Sequence, residues 1–346
     1  MSRIRFTIVI TCHNQRDFIE QAVKSALSQS YPADQIIVVD DGSTDDSVKV
    51  IEPYAKQIEL IQLASNCGAL VARNTGCAAA SGDYLVFLDG DDVFMNWALA
   101  VYAQVIDRCQ PKIVIGKSRW FSGNLPDENR PLHIDYAQYE SFMQKDRSVP
   151  LSASALVVEK RAFNDVGGWS EGIFHLDLVD VAAKLGFSGT TVVVSTPFTV
   201  FYRLHTANSI LDVKPFVDMA RRLIAKEKKG DYPGGNEHRF ERYAWLGGIS
   251  FFWMKRALRA GLYKDAWRLT LTALPMILVA TARRTKACIG GRQPLQTISM
   301  PLVMLLRLNR LAPALTCHAA MLRLAVVLLF FLCQCCSDLA ETCVLS

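Results

Sequence analysis

Three carboxylates follow an apolar run in the stretch YLVFLDGDDVFM, residues 84–95. The run, which starts at Tyr84, is short and rich in β-branched and aromatic residues, as is typical of a buried strand. Asp89, Asp91 and Asp92 come directly after it, with no basic residue among them. Such a group needs a cation to offset its repulsion, and Mg²⁺ or Mn²⁺ binds one or two carboxylates together with phosphate oxygens. The stretch therefore indicates a metal and diphosphate site, although a solvated turn with Asp92 as a helix cap also explains it.

A second acidic group ends an earlier apolar run, in the stretch IIVVDDGSTDDS. Asp40 and Asp41 close the run, Gly42 and Ser43 turn the chain, and a helix follows. A carboxylate at such a strand end can accept hydrogen bonds from a nucleobase imide or a ribose. Alone the pattern is weak, because strand, Asp, Gly and helix cap recur in many α/β proteins. Paired with the cluster after Tyr84, it predicts a site for a whole nucleotide diphosphate.

The elements that must position these groups alternate between two periods in the first third of the chain. Short apolar runs such as RFTIVIT, QIIVVD and KIVIGK are separated by stretches with helical spacing. Strands and helices in regular turn predict an α/β fold with a largely parallel sheet covered by helices on both faces. Ligands bind such sheets at the carboxyl ends of the strands. The polar residues gather at those ends, in Thr11–Asn14, Asp40–Ser43 and Asp89–Asp92.

The order of these motifs resembles a known family. Over about residues 5–210, the chain is similar to the inverting family 2 glycosyltransferases of the GT-A fold. The stretches that carry the similarity are TIVITCHNQRDFIEQAVKSALSQSY, IIVVDDGSTDDS and NCGALVARNTGCAAASGDYLVFLDGDD. The resemblance implies a Rossmann-like, mixed and mostly parallel sheet flanked by helices. It also implies sugar transfer from a nucleotide-diphosphate sugar to a hydroxyl acceptor with inversion, in the synthesis of bacterial cell-surface polysaccharide or glycolipid.

The same resemblance assigns the nucleotide pocket. It implies that Thr11, His13 and Asn14 line this pocket, although the family more often has Pro and Tyr at the first two positions. It implies that Asp41 binds the base. Arg73 matches the family's Ala-Arg-Asn segment, where it would steady the base or diphosphate or pair with an acid on a helix face.

For the diphosphate and the metal, the resemblance points to the later motifs. Asp89 and Asp91 would form the DxD pair, with Asp91 nearest a Mn²⁺ or Mg²⁺ ion and Asp89 able to reach the ribose. The stretch FYRLHTANSI is similar to the family's Arg-x-His loop. Arg203 and His205 of that loop would meet the diphosphate or the metal.

The general base is the place where the chain departs from the family. The family has a Glu-Asp pair at the start of a helix that follows a Gly-Gly-aromatic turn, and the Asp deprotonates the acceptor. Here GGWSEGIFHLDLVDVAAKLG supplies the turn, but the pair reads Asp177-Leu178, with Asp180 one turn on. We expect Asp177 to be the base and Asp180 to be the second candidate, with a plain helix cap at Asp177 as the alternative.

The last third is basic, apolar and helical in pattern. After residue 230 there are fourteen Lys and Arg against six Asp and Glu, and from Arg242 to Ser337 the single acid is Asp265. Basic residues interleaved with apolar runs suit an anionic membrane surface better than nucleic acid. We therefore predict a glycosyltransferase domain over residues 1–215 and a helical, membrane-associating region over residues 216–346.

Cellular location and rival functions complete the expectations. Five of the ten cysteines are scattered without metal-like spacing, which favours reduced thiols, and the N-terminal apolar run is too short for a signal peptide. Both features predict a cytoplasmic protein. The basic, apolar tail predicts that it is peripheral at the inner face of the membrane, with a glycan or lipid-linked acceptor. Two alternatives remain, a sugar-nucleotide binder that has lost turnover and a nucleotidyltransferase. The second would carry a Gly-rich phosphate loop after the first strand, where TCHNQRDF has no glycine.

Overall fold

The computed structural model describes four stretches of the chain, which are residues 3–126, 133–144, 152–205 and 212–289. The chain divides into a compact unit, Met1–Ala287, and a remaining segment, Cys288–Ser346. The elements described below belong to the first of these, apart from the last two residues of the last described helix.

Within the described residues, the strands join into one mixed sheet in the order β3-β2-β1-β4-β8-β6-β9-β5, with β7 paired to β9. These strands are β1 (Phe6–Cys12), β2 (Gln35–Asp40), β3 (Glu59–Gln62), β4 (Tyr84–Asp89), β5 (Val93–Phe94), β6 (Ile113–Phe121), β7 (Asp135–Tyr139), β8 (Leu156–Glu159) and β9 (Thr191–Arg203). Strands β3, β2, β1 and β4 run parallel, as do β6 and β9, whereas β8 is antiparallel to both of its neighbours. The predicted α/β fold with a mixed, mostly parallel sheet is confirmed.

Strand register explains why the acidic motifs meet. The side chains of β1 are buried along its whole length, so its register against its neighbours is fixed by the apolar pattern. Thr11 lies opposite Asp89 of β4, and Cys12 lies opposite Asp40 of β2. The carboxyl ends of these parallel strands therefore share one edge of the sheet, as the sequence predicted.

Helices cover both faces of the sheet. They are α1 (Ile19–Leu27), α2 (Ser47–Ile51), α3 (Ala69–Ala79), α4 (Ala98–Cys109), α5 (Lys160–Asp165), α6 (Asp177–Leu185), α7 (Val213–Lys229), α8 (Arg239–Arg259) and α9 (Tyr263–Ile289). Alternate residues of each strand enter two separate hydrophobic layers. Val9 and Phe87 pack on the side of α3 and α6, and Ile8 and Val86 pack on the side of α1 and α4.

The last three helices extend the first of these layers. Phe216 of α7 stacks on Trp253 of α8, with ring centroids 4.0 Å apart, and both side chains are buried. Helix α8 crosses α9 at Gly247, where a Cβ atom would collide with the carbonyl group of Met276. The boundary predicted between residues 215 and 216 falls inside the compact unit.

The predicted membrane association concerns the helices of this last third of the chain. In the stretches that the structure describes, none of the helices has the length and apolarity needed to span a bilayer. The apolar run LRLAVVLLFFLCQCC lies outside the described residues.

Candidate active site

Asp41 is held by the main chain of the loop that precedes α3. Its two carboxylate oxygens accept hydrogen bonds from the backbone N–H groups of Cys67, at 2.7 Å, and Gly68, at 2.8 Å. The next residue, Gly42, has φ 65°, and the backbone of Ser65 passes too close to it to admit a Cβ atom. A carboxylate has about four acceptor positions, so Asp41 keeps capacity for a base N–H.

His13 and Asn14 join the end of β1 to the loop after β2. His13 Nδ1 lies 2.8 Å from the Asp41 carbonyl oxygen, and His13 Nε2 lies 2.9 Å from Asn66 Nδ2. The side-chain oxygen of Asn14 accepts from the backbone N–H of Thr44 at 2.8 Å. Asn66 was not singled out by the sequence analysis. Its place two residues before Gly68, the glycine that precedes α3, is the one signal that could have found it.

The loop after β4 treats its three carboxylates differently. Asp92 is buried, and its oxygens accept from Ser154 Oγ at 2.6 Å and from the Arg203 backbone N–H at 3.0 Å. Burial, and then the charges of Asp91 and Asp89, hold the pKa of Asp92 well above its usual range. Asp92 therefore braces the loop from inside, a role that sequence reasoning missed.

Asp91 contacts two residues at the carboxyl end of β9. Its Oδ2 lies 2.8 Å from His205 Nε2, and its carbonyl oxygen accepts from Arg203 Nε at 2.8 Å. Burial raises the pKa of Asp91, and the charge of Asp89 raises it further, whereas the contact with His205 lowers it. Of the two residues predicted from the Arg-x-His loop, His205 meets the Asp91 carboxylate.

The guanidinium of Arg203 serves the loop's structure. Besides the Asp91 carbonyl it bonds Gln21 Oε1 at 2.6 Å, and it lies over the rings of Phe18 and Phe121 at 5.0 and 4.6 Å. Arg203 is 7% exposed. It thus connects α1, β6 and the acidic loop, and its predicted contact with the diphosphate stays a prediction.

Arg73 of α3 joins the two halves of the candidate site. Its Nη2 lies 2.7 Å from Asp89 Oδ1, and its Nη1 lies 2.6 Å from Asp177 Oδ2. The guanidinium also lies over the Trp169 ring, 5.0 Å from its centroid. Burial alone would lower the pKa of Arg73, but the charges of Asp89 and Asp177 outweigh it and raise the pKa. Arg73 therefore fixes the distance between the strand-end cluster and the first turn of α6.

The residues of the first turn of α6 have separate partners. Asp177, with 19% of its side chain exposed, faces Arg73. Leu178 lines a small apolar pocket with Ile113, Phe142 and Leu156. Asp180 is fully buried and does not join the strand-end cluster, because Lys226 Nζ and Tyr232 OH hold it from the other side, at 2.5 and 2.7 Å.

The donor set for a divalent ion can be tested on these contacts. No group of three His, Cys, Asp or Glu side chains able to hold a metal ion occurs among the described residues. Asp91 and His205 would offer one oxygen and one nitrogen ligand, whose atoms lie 2.8 Å apart. Asp89 Oδ1 is instead held by Arg73, and Thr11 Oγ1 lies 3.5 Å from it. Two protein ligands completed by diphosphate oxygens and water suit Mg²⁺ or Mn²⁺. The residues present fit such an ion.

Comparison with known proteins identifies the domain. Residues 7–167 match the model of the family described as Glycosyl transferase family 2. The putative teichuronic acid biosynthesis glycosyltransferase TuaG of Bacillus subtilis is 42% identical over 89 residues, which are 25% of this chain and 35% of TuaG. The poly(ribitol-phosphate) beta-glucosyltransferase of Bacillus spizizenii is 32% identical over 126 residues, which are 35% of this chain and 20% of that protein. The matched stretches thus cover about a third or less of these two relatives' own length.

Solved structures agree on the fold. S. aureus TarS 1-349 in complex with UDP superposes with a TM-score of 0.56 at 17% identity, over 71% of this chain and 70% of that one. The complex of the same protein with UDP-GlcNAc gives a TM-score of 0.54 at 16% identity, over 83% of this chain and 92% of that one. The sheet order, the strand-end cluster and the family match agree with the resemblance seen in the sequence. Residues 7–167 of this chain therefore carry the domain of glycosyl transferase family 2.

Proposed function

We propose that this chain transfers a sugar from a uridine diphosphate sugar to a hydroxyl acceptor, with inversion at the anomeric carbon. The observation that carries the proposal is the bridge made by Arg73. It brings Asp89, at the end of β4, and Asp177, at the start of α6, to opposite sides of one guanidinium. A donor diphosphate bound at the strand ends then lies beside a carboxylate that can receive a proton.

The nucleotide would bind at the end of β1 and β2. Asp41 accepts the base N–H there, and His13 and Asn66 border the same loop. A uracil imide suits a lone carboxylate acceptor. The structures of TarS, whose fold is similar, contain UDP or UDP-GlcNAc, and this supports uridine over other bases.

A divalent ion would be held by Asp91 and His205. When bound, it would neutralise the charge that develops on the leaving diphosphate. The raised pKa of Asp91 agrees with a carboxylate placed where a cation belongs. Asp91→Asn should abolish the Mn²⁺-dependent part of UDP binding, as measured by calorimetry. If the variant binds UDP in Mn²⁺ as tightly as the unchanged protein does, Asp91 is not a metal ligand.

Asp177 is the proposed general base. The acceptor oxygen bonds to the anomeric carbon as the bond from that carbon to the diphosphate oxygen breaks. Asp177 takes the hydroxyl proton, and the diphosphate leaves with the electron pair. Asp180 is the weaker candidate, since Lys226 and Tyr232 occupy its buried carboxylate.

The acceptor would be a cell-surface glycan or a lipid-linked precursor, reached from the inner face of an anionic membrane. The two relatives above, a putative teichuronic acid biosynthesis glycosyltransferase and a poly(ribitol-phosphate) beta-glucosyltransferase, support the polymer class. The surface of α8 supports the membrane contact. Phe252, Lys255 and Arg259 are exposed at helical spacing, and exposed Tyr263 follows at the start of α9.

Charge reversal on that surface tests the membrane contact. Lys255→Glu with Arg259→Glu should release the protein from phosphatidylserine vesicles, since each basic contact contributes about 1 kcal/mol. Lys56→Glu, a charge reversal at an exposed residue in the turn before β3, is the control. Unchanged vesicle binding at the same salt would remove these two residues from the contact.

The transfer itself is tested with a panel of nucleotide sugars. Calorimetry should show that Mn²⁺ strengthens UDP binding. It should also show that GDP binds much more weakly than UDP does. A mixture of UDP-sugar donors and hydroxyl acceptors should then release UDP and form a glycosidic product. Tighter binding of GDP than of UDP would overturn the uridine assignment.

A sugar-nucleotide binder without turnover is the second candidate, and Leu178 favours it. The residue at the family's usual base position is apolar and faces an apolar pocket. The two functions differ in one result. A protein that binds UDP-sugar but neither transfers nor hydrolyses it across a broad panel is the binder.

A further inference from the structure

The first turn of α6 lies between two cations that come from different parts of the chain. Asp177 pairs with Arg73 of α3, and Asp180 pairs with Lys226 of α7. The two acids are three residues apart, which places them about 60° apart around the helix axis. The helix that carries the proposed base is therefore held on two neighbouring sides.

The inner of these two pairs is deeply buried. Asp180 is fully buried, with Lys226 Nζ at 2.5 Å, Tyr232 OH at 2.7 Å and Lys184 Nζ at 4.0 Å. A buried carboxylate without such partners would be strongly destabilising, and the cation nearest to Asp180, Lys226, comes from α7. Tyr232, which follows α7, adds a neutral donor to the same oxygen.

The same network holds the turn in front of α6. Lys226 Nζ also lies 3.3 Å from Ser170 Oγ, and Lys184 Nζ bonds the Gly168 carbonyl. From the opposite side, Asn74 clamps Trp169 through both its backbone N–H, at 3.0 Å, and its carbonyl, at 2.9 Å. The turn and the helix are thus fixed as one piece between α3 and α7.

We propose that Lys226 is a positioning residue for catalysis. Through Asp180 it sets the rotation of α6, and so it places Asp177 against Arg73 and the donor site. The α7 helix is then a working part of the active site. The proposal rests on the proposed function, because it gives Lys226 an effect through Asp177.

The test removes both charges of the Asp180–Lys226 pair together, while Lys184 keeps its bond to the Gly168 carbonyl. In Asp180→Asn with Lys226→Met, the Asn side chain can still accept from Tyr232. We expect kcat to fall about tenfold to a hundredfold, as for a misplaced catalytic group, with UDP affinity within twofold of the unchanged protein. Added to Asp177→Asn, the same pair of changes should cost no further activity. A folded double variant with unchanged kcat would overturn the proposal. So would a loss of kcat that is as large in the Asp177→Asn background as in the unchanged protein.

The chain offers a matched control in a second buried ion pair. Arg242 of α8 bonds Glu227 of α7 at 2.6 Å, with side chains 3% and 1% exposed. Within the described part of the chain, neither side chain bonds α6. Glu227→Gln with Arg242→Met should lower Tm. At a temperature below that lowered Tm, its kcat should stay within twofold of the kcat of the unchanged protein. If this control loses as much kcat as the Lys226 variant, general loosening of the helices explains both, and the proposal fails.

Hydrogen exchange separates this proposal from the proposed function. Amides in the first turn of α6, including Asp180 N–H, which bonds the Leu176 carbonyl, should exchange faster in the Lys226 variant than in the control. This readout needs no turnover, so it stands if no transfer is found. If the double variant does not fold, Tyr232→Phe replaces it in this test, because this change keeps the Asp180–Lys226 ion pair. In Tyr232→Phe we expect a smaller increase in the exchange rate of the same amides. Unchanged α6 exchange in a folded variant would overturn the proposal.

Discussion

The nucleotide side and the acceptor side of the candidate site are held in different ways. On the nucleotide side, Asp41 is fixed by two main-chain N–H groups of the adjacent loop. On the acceptor side, Asp177 is fixed by the side chain of Arg73, which is 104 residues away in the chain. Main-chain donors come with the strand-loop-helix fold, whereas a side-chain cation is lost with one substitution. The acceptor side is therefore the part whose geometry a single residue can break.

The acceptor side should show the largest loss of turnover. Asp177→Asn keeps the size of the side chain and an acceptor for Arg73, but it removes the group that takes the proton. We expect kcat to fall by roughly 10²–10⁴, with UDP affinity preserved. Glu171→Gln, an exposed acid in the turn before α6, is the matched control and should keep full rate. Near-full rate in Asp177→Asn beside a dead Asp180→Asn would move the base one turn along the helix.

Removing the bridge should cost stability on both sides. Arg73→Met leaves Asp89 and Asp177 without their cation in a mostly buried place, which typically costs about 3–5 kcal/mol in the free energy of unfolding. Denaturant unfolding measures it, and adding Asp177→Leu should restore part of the loss. An Arg73→Met protein as stable as the original would mean that the bridge is not a stabilising contact.

On the nucleotide side the effect should be smaller. Asp41→Asn replaces one of two acceptor oxygens by a donor, so UDP affinity should fall about tenfold to a hundredfold, the range for one hydrogen bond to a charged group. The same change should lower stability modestly, because one loop N–H loses its acceptor. Calorimetry with UDP decides, and unchanged affinity would move the base pocket away from Asp41.

The smallest expected effect is on the dependence of stability on pH. His175, two residues before Asp177, has φ 67°, and burial lowers its pKa despite the charges of Asp177 and Asp212. Between that lowered value and the ordinary value near 6.5, the unfolded chain binds more protons, so stability rises with pH and is lost on acidification. His175→Asn, which tolerates this backbone conformation, should shrink the difference in Tm between pH 5 and pH 8.

The comparison for that pH effect is His133, whose side chain is 69% exposed. His133→Gln, a change at an exposed imidazole that lies 3.2 Å from Asp135 Oδ2, is the control variant. An equal change in both variants would assign the effect to overall charge rather than to the buried imidazole.

The sequence predicted the strand ends well because their pattern is local. Apolar runs followed by Asp41 or Asp89 fix strand, end and turn within a few residues, and parallel pairing brings those ends together.

The partners of the α6 acids could not be predicted in the same way. Asp177 and Asp180 read as equivalent from their spacing, which places both on one helix face. What separates them is which cation reaches each one, and Arg73 and Lys226 come from helices 104 and 46 residues away. Spacing within a helix carries no information about contacts of that range. The buried role of Asp92 was missed for the same reason, because its partner Ser154 lies 62 residues away.

One measurement tests the central claim most directly, which is that Asp177 and the strand-end diphosphate site act on opposite sides of one sugar. The anomeric configuration of the transferred sugar can be read by proton NMR of the product formed from an α-linked UDP-sugar. A single displacement assisted by Asp177 predicts a β-linked product, with Asp177→Asn forming the same product far more slowly. An α-linked product, or UDP-sugar bound but never transferred by the unchanged protein, would contradict the account.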